Sequence, residues 1–520
     1  AGIYADNNTG TTQTNITIEN NKSLTVGNSS TGIILKDSSG SGNGGIIAVT
    51  GTGTSDIVTV MNGTGIYAEN SKLNLNTNYG IETKDNGVGI YLAGTSIIPT
   101  STTLEYKYSG STSGTGIAIA YSALSSTNTT NVNIVNGTST TSGLIGLYSN
   151  GGGTFTNNAN ITGISTAGEF GITVDNNTDV INNGSISLGN ATSLSGANVG
   201  IYSKTPNTIT NNGIISTGDN TVGIYGYGVN NTGTVTIGNA GTGIYTQGGN
   251  VNLSSGTMNI GLSEAVGVYS VGSGQTITNN LSTLNIGDTS FGFVNVGTGN
   301  TLISNMSNIT LGNDSVYIYS NDTTGTLTNN TNLVSTGNKN YGIYSAGQVT
   351  NNGNMNLSSG IGNVGIYSIL GGTATNNATI DIGSSDILNN IYGVGMAAGY
   401  STTDSGNVIN NGTINVNGAN SVGMYATSSG STATNAGNIV LNADDTVGMY
   451  IDEGAVGNNS GTISTGVTGL SGVIGVVLGR GATLNNTGTI NIDSTNGVGV
   501  YLRGGTIANY GTITVSGSGS

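Results

Sequence analysis

A short phrase, Val-Gly followed by Ile, Val or Met and then Tyr, returns about twenty times along the chain at intervals of roughly 26 residues. Clear copies carry Gly200, Gly223, Gly243, Gly365, Gly423 and Gly448, and looser copies carry Gly116, Gly292, Gly395 and Gly475. A unit this short cannot bury its own apolar face, so each copy must cover its neighbours, and stability becomes a sum of nearest-neighbour terms. The repeat therefore predicts a solenoid.

Each period contains three strand-like pieces: one like GATL (481 to 484), one like NNGTINV (410 to 416), and the Val-Gly-Ile-Tyr phrase itself. All are β-branched, alternate with a period of two and are closed by Gly, Asn, Ser and Thr, and no stretch carries a sustained helical stripe. The predicted fold is all-β, a parallel β-helix of about twenty coils with three short strands each, continuous over residues 1–520. At about 4.8 Å per coil that is a rod roughly 95 Å long. Composition removes the competitors. Glycine supplies 91 of 520 residues with only 2 prolines and no three-residue period, which excludes collagen, and 34% apolar residues in alternating strings argue against disorder.

Paired asparagines recur at one turn, as at Asn211 and Asn212, Asn376 and Asn377, and Asn485 and Asn486. Stacked coils would join them into amide ladders along the axis. Alternation within NSVGMYAT (420 to 427) puts Val, Met and Ala on one parity and Gly and Tyr on the other. The position four after the glycine holds Asp6, Lys36, Glu69, Lys204, Asp452 or Arg503 in different coils, so that parity faces water. The expectation is an external file of tyrosines, each ring lying over a glycine.

The chain has no His and no Cys, which removes Ser-His-Asp and Cys-His machinery, imidazole and thiolate metal sites, and disulfides. A formal charge of -15 without a basic cluster argues against a nucleic-acid partner. No apolar run is long enough for a membrane-spanning helix. The first residues already lie inside the repeat, so the chain is expected to be an excerpt of a longer one, without a signal peptide or C-terminal barrel of its own.

Two sets of residues are candidates for ligand binding. Tyr202, Tyr225, Tyr245 and Tyr269 belong to the tyrosine file, which reads either as a stacking ladder that shields the sheet or as a recognition surface for sugars or proteins. Between about 96 and 142 the repeat blurs; Pro99, Glu105, Tyr106, Lys107 and Tyr108 fall where a loop would interrupt the solenoid, and such loops often carry function. Asp444, Asp445, Asp452 and Glu453 concentrate acidity, but solvated carboxylates explain them better than calcium does. Neither a metal nor a cofactor is expected, and no catalytic residues are assigned. A polysaccharide-acting β-helix enzyme would need paired carboxylates in a groove, or a calcium beside a basic residue, and Arg480 and Arg503 join no convincing acidic pair.

The recurrent VGIY, VGMY and NNGTI units with Asn-, Gly- and Thr-rich turns resemble the passenger repeats of the large fusobacterial autotransporter adhesins, of the classical type V secretion group. The resemblance covers nearly the whole chain and is clearest from about residue 195 onward. It implies a right-handed β-helix outside the bacterial cell, anchored in the outer membrane by a barrel. It also implies attachment to host cells through a protein receptor or a galactoside glycan, a contribution to virulence, and coaggregation with partner bacteria. The alternative is a passive stalk that holds a distal binding domain.

Overall fold

A computed structural model describes residues 1–10, 14–19, 24–39, 45–50, 56–75, 79–98, 102–109, 114–122, 128–130, 132–136, 143–163, 168–401 and 403–520. They form two compact units, Ala1–Gly261 and Leu262–Ser520. Each unit is a parallel β-solenoid. Among the described residues ten strands carrying the repeated phrase stack in each unit, from Ile3–Asp6 to Thr242–Thr246 in the first and from Val266–Ser270 to Val498–Leu502 in the second. The only helical piece described is a single 3-10 turn, Leu194–Gly196.

One coil shows how the sequence builds the path. Val222–Gly226 leads into Gly228–Asn231, an Asn-Thr-Gly turn, Thr234–Ile237, and then Thr242–Thr246 of the next coil. Ile224 pairs with Ile244 and Tyr225 with Tyr245, so like residues lie on like. The turn before the repeated phrase holds its residue two before the strand in the left-handed region, at Asn220 (φ 55°) and again at Asn420 (φ 61°). Asn tolerates that conformation better than most side chains. Ile224, Ile244, Val235 and Val229 are buried, and each such side chain contributes about 1.5–3 kcal/mol.

Both amide ladders form, and they differ. The Asn that ends the strand before the turn points inward, where Nδ2 of Asn182 donates to Oδ1 of Asn211 at 2.8 Å, and Nδ2 of Asn211 to Asn231 at 2.7 Å. In the second unit the buried ladder runs from Asn329 through Asn351, Asn376, Asn410, Asn435, Asn459 and Asn486 to Asn509. The residue that follows this inward Asn in the turn is outside, and where it is Asn it donates in the opposite direction, as from Asn377 to Asn352 at 3.0 Å and from Asn411 to Asn377 at 3.0 Å. The amide dipoles of the two ladders oppose one another.

The expected parity holds for tyrosine and fails for its neighbours. In Val222–Gly226 the valine is half-buried, the glycine and isoleucine buried, and the tyrosine half-buried. Alternation breaks at the glycine, so that two successive residues face inward and the valine joins the tyrosine on the outer face. A Cβ on Gly423 would stand 2.6 Å from the carbonyl oxygen of Gly448 and 2.7 Å from Cγ2 of the core residue Ile439. The glycine thus leaves room for the next coil's backbone and the core, and not for the tyrosine ring.

Candidate binding surface

The outer face presents two columns on each unit, one of tyrosines and one of valines. Tyr202, Tyr225 and Tyr245 lie in the first unit's column, half-buried. Their rings follow one another at centroid separations of 5.0 and 4.9 Å, and Tyr225 and Tyr245 are stacked nearly parallel, with 2° between the ring planes. Register explains this stack, because each tyrosine sits opposite the next in a parallel pair. The hydroxyl of Tyr225 accepts a hydrogen bond from Nε2 of Gln247, and burial by the neighbouring coils raises the pKa of both Tyr202 and Tyr225. Tyr269, in the second unit, stands opposite Val294 and lines a shallow hollow with Val266, Phe291 and Tyr319.

The excursion near residue 100 is corrected by the structure. Tyr106, Lys107 and Tyr108 lie in a regular strand, Thr102–Tyr108, which pairs on both sides. Alternation directs Tyr106 and Tyr108 into the coil, at 0% and 2% exposure, and leaves Lys107 outside. The Tyr106 hydroxyl lies 2.6 Å from Oγ1 of Thr83, and burial raises its pKa. Two of the three residues therefore fill the core and present nothing to a ligand. Pro99 falls outside the described residues.

A more developed concavity lies in the second unit, where it was not expected. The valine column is represented there by Val316, Tyr341, Val364, Val394 and Val422, and the tyrosine column by Tyr319, Tyr344, Tyr367, Ala397, Tyr425 and Tyr450. Ala397 takes the place of a tyrosine. Between the columns runs a groove of about 760 Å³ floored by Val364, Val394, Ala397 and Val422. Val364, Val394 and Ala397 form a buried cluster against which Tyr341, Tyr367, Val422 and Tyr425 pack.

Desolvation is strong among the tyrosines that line this groove and in Tyr344, which packs on two of them. It pushes the Tyr344 hydroxyl up to about 12 and raises Tyr341, Tyr367 and Tyr425 as well. Tyr367 donates to the carbonyl oxygen of Gly399 at 3.1 Å. The signal for this site was present in the sequence as VGMAA (394 to 398), where the phrase loses its tyrosine, and in the longer connection SSDILNNIYG (384 to 393) just before it.

The acidic residues near 450 are engaged with their surroundings. Oδ1 of Asp452 accepts from the backbone amides of Glu453 at 2.8 Å and Arg480 at 2.9 Å, and Glu453 forms an ion pair with the Arg480 guanidinium. Among the described residues no group of three or more acidic side chains is placed to hold a metal ion.

No curated protein and no solved structure matches the chain. Residues 225–462, which include the whole groove, match the family model described as the BigA third pectate lyase-like domain. That similarity and the parallel β-helix together are consistent with a surface-exposed autotransporter passenger.

Proposed function

We propose that the chain is the adhesive passenger of a large type V autotransporter, held at the bacterial surface by an outer-membrane barrel. It attaches to host cells through a protein or glycan receptor and to other bacteria. Fusobacterial origin, a role in virulence and coaggregation belong to this proposal, on the strength of the repeat's resemblance. The observation that carries the reading is the outward file of tyrosine and valine on both units. Such a file offers rigid amphipathic contact area at low entropic cost. No catalytic role is proposed, since Arg480 is held by Glu453 and Arg503 donates to the Tyr450 hydroxyl at 3.1 Å.

A second reading, the stalk, is favoured by one observation: Tyr225 and Tyr245 cover each other's faces, as rings do when they merely shield a sheet. Competition separates the two. Binding of the labelled chain to epithelial cells, immune cells and partner bacteria is expected to fall when galactosides, arginine or excess unlabelled chain are added. Attachment that none of these reduces would favour the stalk.

A further inference from the structure

The coil around Val394–Ala398 departs from the repeat in three ways, and all three fall at one place. Ala397 stands between Tyr367 of the preceding coil and Tyr425 of the following one. Ahead of the strand the chain makes an excursion closed by two backbone hydrogen bonds between Asp386 and Ile391, at 2.7 and 3.0 Å. After it, a second excursion is closed by the bridge of Ser401 with Asp404. The first supplies Asn390, Ile391 and Tyr392 to the wall of the groove.

We propose that this coil is a docking site for an extended segment of a partner protein. One bulky apolar side chain of that segment enters the gap over Ala397, and a basic residue beside it meets carboxylates on the rim. The proposal rests on the adhesin reading and names the class of partner.

Size is the first argument. Two coils span about 9.6 Å, and carbon surfaces in contact stand about 3.5–4 Å apart. The space between the two tyrosines therefore accepts the thickness of one side chain. Chemistry is the second. The floor is aliphatic, and the Tyr367 hydroxyl is already bonded to Gly399, so a sugar ring seated on the floor over Ala397 finds hydrogen-bond partners only on the walls, whereas an apolar side chain asks for none.

The surroundings extend the same surface. Leu388 at the tip of the first excursion is 90% exposed and Tyr400 on the second is 71% exposed, with Ile387, Tyr392 and Leu370 also open to solvent. Large apolar side chains gathered in this way mark protein interaction sites. Charge complementarity supplies the basic residue. Asp452 lies on the groove wall, and Asp404 is near enough to raise the Tyr344 and Tyr367 hydroxyls electrostatically. Asp314 is accompanied by Lys339 at 3.6 Å, and Arg503 reaches the Tyr450 hydroxyl at 3.1 Å, so Asp314, Asp404 and Asp452 face two cations and the rim keeps a net negative charge.

The test selects from a phage-displayed library of random dodecapeptides on the complete 520-residue chain, with Ala397→Tyr and Leu388→Asn as comparisons. Ala397→Tyr restores the residue of the repeat and closes the gap, and Leu388→Asn alters an exposed tip. Selected peptides are expected to share a Leu, Phe, Met or Trp beside a Lys or Arg, and to bind both variants at least tenfold more weakly while melting curves coincide. Should Ala397→Tyr fail to fold, Leu388→Asn decides.

An absence of enriched peptides, or equal binding to the folded variants, would overturn the proposal. So would binding to an array of neutral glycans that Ala397→Tyr abolishes. Cell attachment that survives in Ala397→Tyr rejects this site and keeps the adhesin reading. Peptides that depend on the gap, without attachment of the chain to any cell, keep the site and reject the adhesin reading.

Discussion

The Tyr317 hydroxyl lies 2.5 Å from Oγ of Ser304, inside the second unit. Both residues break the repeat. Tyr317 takes the place of the recurring glycine, and Ser304 takes the place of an asparagine in the buried ladder, between Asn279 and Asn329. The shorter serine makes room for the inward ring, and the phenol restores hydrogen bonding that the missing amide would have provided. Asn279 reaches it at 3.3 Å, and Oγ of Ser304 also meets Oγ1 of Thr331 at 2.7 Å.

The two exceptions should therefore be coupled. Tyr317→Gly alone is expected to destabilise the second unit by about 3–5 kcal/mol, as loss of a buried aromatic ring does. Adding Ser304→Asn rebuilds the ladder and should recover part of that loss, with an interaction energy of about 0.5–3 kcal/mol in a double-mutant cycle read by urea denaturation. Strict additivity would contradict the compensation.

The two asparagine ladders should differ in energetic weight. Asn376→Ala leaves Asn351 without its acceptor and Asn410 without its donor inside the coil, at about 1–3 kcal/mol for each buried group left unpaired. Asn377→Ala breaks equivalent bonds on the outside, where water replaces them, and should shift stability by about 0.5 kcal/mol or less. Equal shifts in the denaturation midpoint would show that ladder position does not matter.

Gly423→Ala tests why the phrase contains glycine. Its Cβ would meet the Gly448 carbonyl and Ile439, and overpacking of this kind costs about 1–3 kcal/mol. A melting temperature unchanged by the substitution would mean that the coils separate more easily than their register suggests.

The tyrosine file should also respond to alkali. Tyr344 is raised from 10.0 to about 12, by burial first and then by neighbouring phenols and Asp404. Since the folded-state value lies above the unfolded one, the neutral phenol's contribution to stability is complete below pH 10 and is lost as pH rises from 10 through about 12. Ultraviolet titration of phenolate should show Tyr344→Phe losing an ionisation near 12, and the native chain should lose stability over that window. A Tyr344 that titrates at 10 would contradict the packing of this column.

Much of the fold was legible because parallel stacking writes the same residue at the same place in each coil. Ile224 over Ile244 and Asn376 beside Asn410 can be read from spacing alone. The reversal at glycine could not be read that way, since strict alternation is the only rule that a five-residue strand offers, and it put Val222 inside. The blurred repeat near residue 100 reads as a loop in the sequence, although Thr102–Tyr108 satisfies its backbone in a regular strand and buries Tyr106 and Tyr108. The groove depends on what Ala397 lacks; VGMAA shows the missing ring in the sequence, but that its absence opens a groove follows only from the packing of Tyr367 and Tyr425 on either side.

The most direct measurement is a flow-cytometric titration of the labelled 520-residue chain on epithelial cells, immune cells and partner bacteria. An adhesive passenger gives saturable binding to at least one of these surfaces. Signal that rises linearly with concentration on every one of them, or no signal at all, would contradict adhesion by this chain and identify it as a stalk.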